Sequence, residues 1–329
     1  MVAMTLANFW HPVATSEEVT DQPKQFKLLG EVLAVFRDEQ GVAAFKDLCI
    51  HRGTMLSLGS AQDGRITCPY HGWQYDRDGN CVHIPSLPQG ASIPRKARAV
   101  TYRAAEAYGL VWVALDEPIS PIPPWPDDAY DDPAFHTFLA GKWDWKSSAG
   151  RATENGADLS HFNFVHTGLL ALADGPVMKQ HDVQANPLRL EYSYDDGTVR
   201  RDYFVHAPFT VFIRKYRVGS SGSSTAFDMK SAPEGGVFFY SQFHCPRDEK
   251  TTTVYVHNGR NHSLNEDDRE YLEAVSAVLT QDRMIVESQR PEEIPTDLRE
   301  ELHLKIPDAS GIAYRRMLGR IQGVEPFLP

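Results

Sequence analysis

Two short stretches carry side chains suited to redox chemistry. Cys49-Ile50-His51-Arg52 is followed, after fifteen residues, by Cys68-Pro69-Tyr70-His71-Gly72-Trp73. Each stretch offers one thiolate and one imidazole. Together Cys49, Cys68, His51 and His71 supply the ligands of a two-iron, two-sulfide cluster in which the Cys pair holds one iron and the His pair the other. Imidazole in place of thiolate makes the cluster less anionic and raises its potential, which suits it to delivering electrons. Zinc also takes Cys and His, but zinc clamps usually pair like with like, whereas both clamps here are mixed.

A second constellation runs from Glu154 to Gly168 and contains Asn155, Asp158, His161 and His166. Asn155, Asp158 and His161 are three apart, so on a helix they share a face. His166 follows five residues after His161, and at roughly 100° per residue a regular helix points it elsewhere. Joint use of both imidazoles therefore requires the helix to end or bulge near Phe164, with Gly168 as a suitable stop. Phe162, Phe164 and Val165 surround His166 with apolar side chains and favour a buried imidazole over a solvated one. Two His and one carboxylate on one face of an iron, with the other face open, is an arrangement for oxygen activation. The carboxylate must come from elsewhere in the chain.

The elements that position these groups are legible in outline. Lys27–Gly30 and Glu31–Phe36 read as strands, 37–41 as a turn and Val42–Phe45 as the returning strand. Tyr75 to Cys81 reads as a hairpin with an Asp-Gly turn, and Tyr108–Leu115 as a buried closing strand. The first domain, residues 1–120, is then all-β with the two clamps at loop tips. Pro118, Pro121, Pro123, Pro124 and Pro126 mark a linker. The second domain, 121–329, continues with antiparallel strands at Leu188–Tyr194, Thr198–Val205, Thr210–Tyr216, Ala226–Lys230, Gly236–Phe243 and Thr252–His257. Gly219–Ser224 reads as a loop between strands. Phe209, Phe212, Phe227, Phe238, Phe239 and Phe243 are expected to crowd one face of that sheet. Helical spacing runs from Leu264 to Glu287 and includes Asp282. Gln242, Phe243 and His244 are candidates for a substrate pocket and equally for core or surface roles.

Composition excludes several classes. The 329 residues are 42% hydrophobic and 23% charged, with a net charge of −11, so neither nucleic acid nor an anionic membrane is an expected partner. Only four Cys are present, two of them in the clamps; Cys81 and Cys245 are expected to stay unpaired in a reducing compartment. Met1–Trp10 has neither a basic start nor a long apolar run, and a cytoplasmic protein is expected.

Taken together, Cys49–Trp73 and Asn155–His166 resemble the Rieske centre and the mononuclear iron motif of the Rieske non-heme iron oxygenases, in the right order along the chain. The resemblance implies an α+β architecture, an all-β Rieske [2Fe-2S] domain followed by an antiparallel-sheet-plus-helices catalytic domain of helix-grip, START-like form. It assigns His161 and His166 to a catalytic Fe(II) and Asp282 as the third ligand. Asp158 matches the carboxylate that links a cluster His of one subunit, here His71, to an iron His of the next, here His161, which implies a head-to-tail homotrimer. Asn155 matches a polar residue near the iron. Chain length, Gln281-Asp282-Arg283 and the tail Ala313–Arg316 look like the α-only monooxygenase branch, similar to vanillate and dicamba O-demethylases, several N-demethylases, toluenesulfonate methyl monooxygenase and the saxitoxin-tailoring hydroxylases.

That branch implies O2 as co-substrate and NAD(P)H electrons delivered through a separate reductase, a ferredoxin, or both. The expected reaction is hydroxylation or oxidative demethylation of a small, aromatic substrate. A ring-hydroxylating dioxygenase and a Rieske electron carrier are the alternatives; a carrier would leave the second His pair without a use. Arg95-Lys96-Ala97-Arg98 is the candidate docking patch for an acidic donor protein.

Overall fold

The structure is a computed structural model that describes residues 4–166, 168–218, 229 and 232–323. The chain divides into two compact units, one of Ala7–Ile122 and the other of Pro123–Pro329 with Met1–Leu6. Among the described residues no helix is long and apolar enough to cross a membrane.

The first unit is all-β. Strands β1 (His11–Thr15), β2 (Lys24–Leu28), β3 (Glu31–Asp38), β4 (Gly41–Lys46), β9 (Thr101–Ala107) and β10 (Leu110–Ala114) form an antiparallel sheet in the order β1-β10-β9-β4-β3-β2. A smaller sheet of β5 (Ser60–Gln62), β6 (Arg65–Thr67), β7 (Gln74–Tyr75) and β8 (Cys81–His83) carries the clamps: the first precedes β5 and the second joins β6 to β7. Leu33–Phe36 on β3 and Leu110–Ala114 on β10 are fully buried, as continuous apolar runs require. The expected strand end at Leu29-Gly30 is instead a turn, because both residues have left-handed φ, 51° and 81°. Tyr108-Gly109 is likewise the turn before β10 rather than its start (φ 58° and 66°), and β9 leads into it.

The second unit is built on one antiparallel sheet of β11 (His136–Trp145), β12 (Gln184–Asn186), β13 (Arg189–Asp195), β14 (Val199–His206), β15 (Thr210–Arg217), β16 (Val237–Pro246) and β17 (Thr252–Arg260), in the order β11-β17-β16-β15-β14-β13-β12. Helices α1 (Ala149–Ala157), α3 (Arg269–Val286) and α4 (Ala309–Ile321) pack on it, with the single turn α2 (Phe162–Val165) following α1. The expected strand Ala226–Lys230, Phe227 and the loop Gly219–Ser224 lie outside the described residues apart from Met229.

The aromatic residues do not share one face. Strand period puts Phe212, Phe239 and Phe243 on one side, where they pack with Trp125 and His257. Phe238 points the other way and stacks on Tyr271 of α3. The same inner face carries Arg260, whose guanidinium lies 4.6 Å from the Tyr271 ring centroid and pairs with Asp268 at 2.6 Å. Asp268 also accepts from His136 and stands at the N-terminus of α3. The helix therefore begins at Arg269, later than its sequence pattern suggests, with its start tied to β11 and β17.

Candidate metal centres and active site

Both clamps fold the same way locally. The N–H of Gly53 donates to the carbonyl of Cys49 at 2.9 Å, and that of Gly72 to Cys68 at 3.0 Å. Each glycine is left-handed (φ 72° and 68°), so the chain reverses four residues after each Cys and turns its imidazole back beside the sulfur. Cys49 and Cys68 are buried with Leu56, Ile66, Tyr75 and Cys81. His51 and His71 reach the surface with ring centroids 4.6 Å apart, and His51 stacks on Trp73 at 4.5 Å. The Tyr75 hydroxyl lies 3.0 Å from Cys49 Sγ and donates to it once the sulfur is a thiolate. Burial, joined by neighbouring Cys49, pushes the Cys68 thiol above its ordinary range. Thiolates crowded into such a pocket need metal cations to hold their charge, so this donor set fits the two-Cys, two-His ligation of an iron–sulfur cluster.

At the second constellation α1 ends before Asp158, which is extended (φ −92°, ψ 149°). The expectation of one helical face running through His161 is thus corrected: the break comes at Asp158 rather than near Phe164. The reason is local. The Asp158 carboxylate accepts from the backbone N–H of His161 at 3.0 Å and from Ser160 Oγ at 2.9 Å, so it binds the chain just ahead of α2 instead of continuing the helix. His161 and His166 then bracket α2, one at each end. Phe162 is buried between them, whereas Phe164 is 71% exposed and does not cover His166.

Asp282 comes in from α3. His161 Nε2 and His166 Nε2 are 3.1 Å apart, and Asp282 Oδ1 lies 3.5 Å and 3.2 Å from them. These donor atoms lie within 4.8 Å of one another and form a group able to hold a metal ion. Asn155 donates from Nδ2 to the same Asp282 oxygen at 3.3 Å.

The outward nitrogens decide what the inward ones can do. His161 Nδ1 faces Asp158 Oδ2 at 2.7 Å, and His166 Nδ1 faces Gln281 Oε1 at 2.9 Å. Both partners accept, so each Nδ1 carries the proton and each Nε2 presents a lone pair toward the other. Two lone pairs at that separation repel unless a cation lies between them. The group therefore fits a two-His, one-carboxylate iron. Burial raises the Asp158 carboxyl, but its hydrogen bonds from His161 and Ser160 outweigh this and hold it below the usual range.

The cavity beside these ligands is lined by Leu170, Ile213, Lys215, Tyr240, Gln242 and Val278, among others. Gln242 is at this wall. Phe243, adjacent on β16, points to the opposite face into the Trp125 group. His244 returns to the inner face but is spent on structure: its Nδ1 lies 2.9 Å from Thr153 Oγ1 of α1 and 3.1 Å from the Phe209 carbonyl, and burial drives it down to about 3. Neither Phe243 nor His244 meets the cavity. Sequence reading missed Lys215, Tyr240 and Gln281 as site residues. Gln281 had a signal, its adjacency to Asp282; the other two are visible only once β15 and β16 are set in register. Cys81 and Cys245 are buried and unbridged. Arg95, Lys96 and Arg98 are exposed, while the intervening Ala97 is anchored in the cluster-domain core.

Both parts of the chain match known protein families. Residues 9–101 match the Rieske [2Fe-2S] domain family, and residues 145–322 match the vanillate O-demethylase oxygenase C-terminal domain family. The methylxanthine N1-demethylase of Pseudomonas putida is 31% identical over 96% of this chain and 89% of its own. The N3-demethylase of the same organism is 31% identical over 88% and 83%. The solved structure of the N1-demethylase with caffeine superposes with a TM-score of 0.81 at 26% identity, covering 98% of this chain and 97% of that one. Dicamba monooxygenase bound to dicamba shares the fold, with a TM-score of 0.79 at 20% identity and coverage of 97% and 98%. The chain belongs to the Rieske non-heme iron oxygenases, as a monooxygenase whose catalytic domain is of the vanillate O-demethylase type.

Proposed function

We propose that this chain is the oxygenase component of an oxidative demethylase acting on N- or O-methyl groups of small aromatic molecules. The observation that carries the reading is the convergence of two Nε2 lone pairs and the Asp282 carboxylate on a small cavity walled by the sheet. When bound, the cluster supplies electrons and the iron supplies O2 activation, placing one oxygen atom in a methyl C–H bond. The residues set the geometry. Asp158 and Gln281 hold the imidazole tautomers, Asn155 orients Asp282, and Leu170, Ile213 and Val278 keep bulk water out. The oxidised carbon leaves as formaldehyde when its hemiaminal or hemiacetal collapses, and the heteroatom keeps a hydrogen.

Electrons come from NAD(P)H by way of a reductase, a ferredoxin, or both, and we assign their docking to Arg95, Lys96 and Arg98. A head-to-tail homotrimer supports transfer from His71 of one protomer through Asp158 to His161 of the next. Exposed apolar side chains accord with such contacts: Phe164, Met284 and Leu302 in the catalytic unit, and Ile50, Leu58 and Tyr70 on the cluster unit. Cys81 and Cys245, buried and unbridged, accord with a reducing, cytoplasmic setting. Reconstituted enzyme, a reductase and NAD(P)H incubated with methylated aromatics test the reading. Formaldehyde release matched to O2 consumption is expected; ring dihydrodiols in its place would assign the chain to ring dioxygenation.

A further inference from the structure

We propose that the groove between the outermost strand β12 and helix α4 is a second, non-catalytic binding site for a small organic acid, one anionic head on a compact apolar body. The site follows from the pattern of α4. Ala309, Ile312, Ala313, Arg316, Met317 and Arg320 recur at helical spacing, so one face of the helix carries an apolar strip with two arginines toward its end. At the sheet edge opposite, Ala185 of β12 pairs with Leu190 of β13. Between helix and edge lies a cavity of about 320 Å³, flanked by Lys305 and Ile306 ahead of the helix and by His181 and Asp182 ahead of the strand. Leu190 and Met317, each 1% exposed, give it an apolar floor. None of its lining residues lines the cavity at the iron ligands.

Its cations are unusual for this chain. Among the described residues of the catalytic unit, every other arginine meets a carboxylate or, for Arg217, a carbonyl oxygen. The side chains of Lys305, Arg316 and Arg320 have neither a hydrogen bond nor an ion pair among the described residues. Asp182, the one acid on the lining, pairs with none of them. Arg316 and Arg320 are four apart, so their like charges oppose each other on the helix. Arg316 Nε and His181 Nε2 are also buried without a hydrogen-bond partner. An anion in the groove relieves the repulsion and gives the orphaned Arg316 nitrogen an acceptor. A bare inorganic ion would gain nothing from Leu190 and Met317, whereas an acid with a hydrocarbon body gains both the charge contacts and the apolar burial.

Calorimetric titration of the iron-loaded, full-length chain with octanoate, 1-octanol and acetate tests this. Octanoate is expected to bind at least about tenfold tighter than octanol, which lacks the charge, and than acetate, which lacks the body. Arg316→Met should weaken octanoate by about tenfold or more, and Arg316→Lys should keep most of the affinity. Asp282→Ala, at the iron site, should leave octanoate binding unchanged. Should Arg316→Met fail to fold, Arg320→Met, at an exposed position, decides in its place and should also weaken octanoate. Absent octanoate binding, octanol or acetate binding as tightly, or unchanged octanoate affinity in the arginine-to-methionine variants would overturn the proposal. Loss of octanoate binding in Asp282→Ala with retention in Arg316→Met would place the acid at the iron site and overturn it as well.

Discussion

His161 Nε2 and His166 Nε2 face each other at 3.1 Å, while each ring's Nδ1 is engaged by an acceptor on a different element. Asp158 lies just past the end of α1 and Gln281 on α3, so the tautomers of both rings are set from two sides of the cavity. This arrangement explains why a segment with five-residue His spacing can serve one ion: α2 is a single turn, and a break at Asp158 precedes it.

The Asp158 carboxylate accepts from the His161 backbone N–H just ahead of α2 and also holds the His161 ring. Asp158→Asn keeps the shape and removes the charge. Turnover should fall by about 10–100-fold, with the cluster's visible spectrum unchanged. Steady-state formaldehyde release beside the absorption spectrum checks this; wild-type rates would remove Asp158 from the electron path.

Gln281 is the less visible of the two tautomer-setting residues. Gln281→Leu leaves the His166 Nδ1–H facing an apolar side chain. Iron affinity should fall by about 10-fold or more, read by competition with a chelator, and the cluster should be unaffected.

Tyr75 acts at the other centre. Its hydroxyl stabilises extra negative charge on Cys49 Sγ, and reduction of the cluster adds such charge. Tyr75→Phe should lower the cluster potential by on the order of tens of millivolts, the one-electron equivalent of a hydrogen bond near 1 kcal/mol. A redox titration followed by electron paramagnetic resonance measures it.

Gly156 lies in α1 against the Gln242 amide. A Cβ there would sit 2.1 Å from Gln242 Oε1. Gly156→Ala should displace that amide, the far end of a flexible side chain, with little loss of stability and a raised KM for the methylated substrate. Urea unfolding and steady-state kinetics read the two effects separately.

Stability in acid should depend on the buried pair of Asp196 and Arg201, 2.7 Å apart. Burial raises the Asp196 carboxyl, but Arg201 and the N–H groups of Val199 and Thr198 outweigh it and hold it below the usual range. A depressed carboxylate stabilises the fold above its unfolded value, about 3.9, and loses that contribution as pH falls through its folded value. Asp196→Asn should cost about 3–5 kcal/mol at pH 7 and flatten the acid limb of the stability curve. Urea unfolding between pH 7 and pH 3 checks both.

Sequence carried the ligand types because metal chemistry restricts them: mixed Cys and His clamps, and a His pair near Asp158, have few other uses. Strand alternation placed β13 to β17 within a few residues. It misses β11, whose lysine and small residues blur the period, and it gathers the phenylalanines on one face by composition although alternation along β16 sends adjacent Phe238 and Phe239 to opposite faces. The helix break is expected near Phe164 rather than at Asp158 because helical spacing through Asn155, Asp158 and His161 is satisfied, while the competing bond from the His161 N–H to the Asp158 carboxylate depends on backbone geometry. Nothing in the sequence sets Lys215 apart from other charged strand residues; the Phe238 and Tyr240 rings beside its ammonium follow from strand register.

Metal counting tests the central claim most directly. After anaerobic reconstitution, wild type should hold about three irons and about two acid-labile sulfides per chain, and Asp282→Ala should drop to about two irons with the sulfide and the cluster spectrum retained. Two irons in wild type, or an unchanged count in Asp282→Ala, would contradict an iron held by His161, His166 and Asp282.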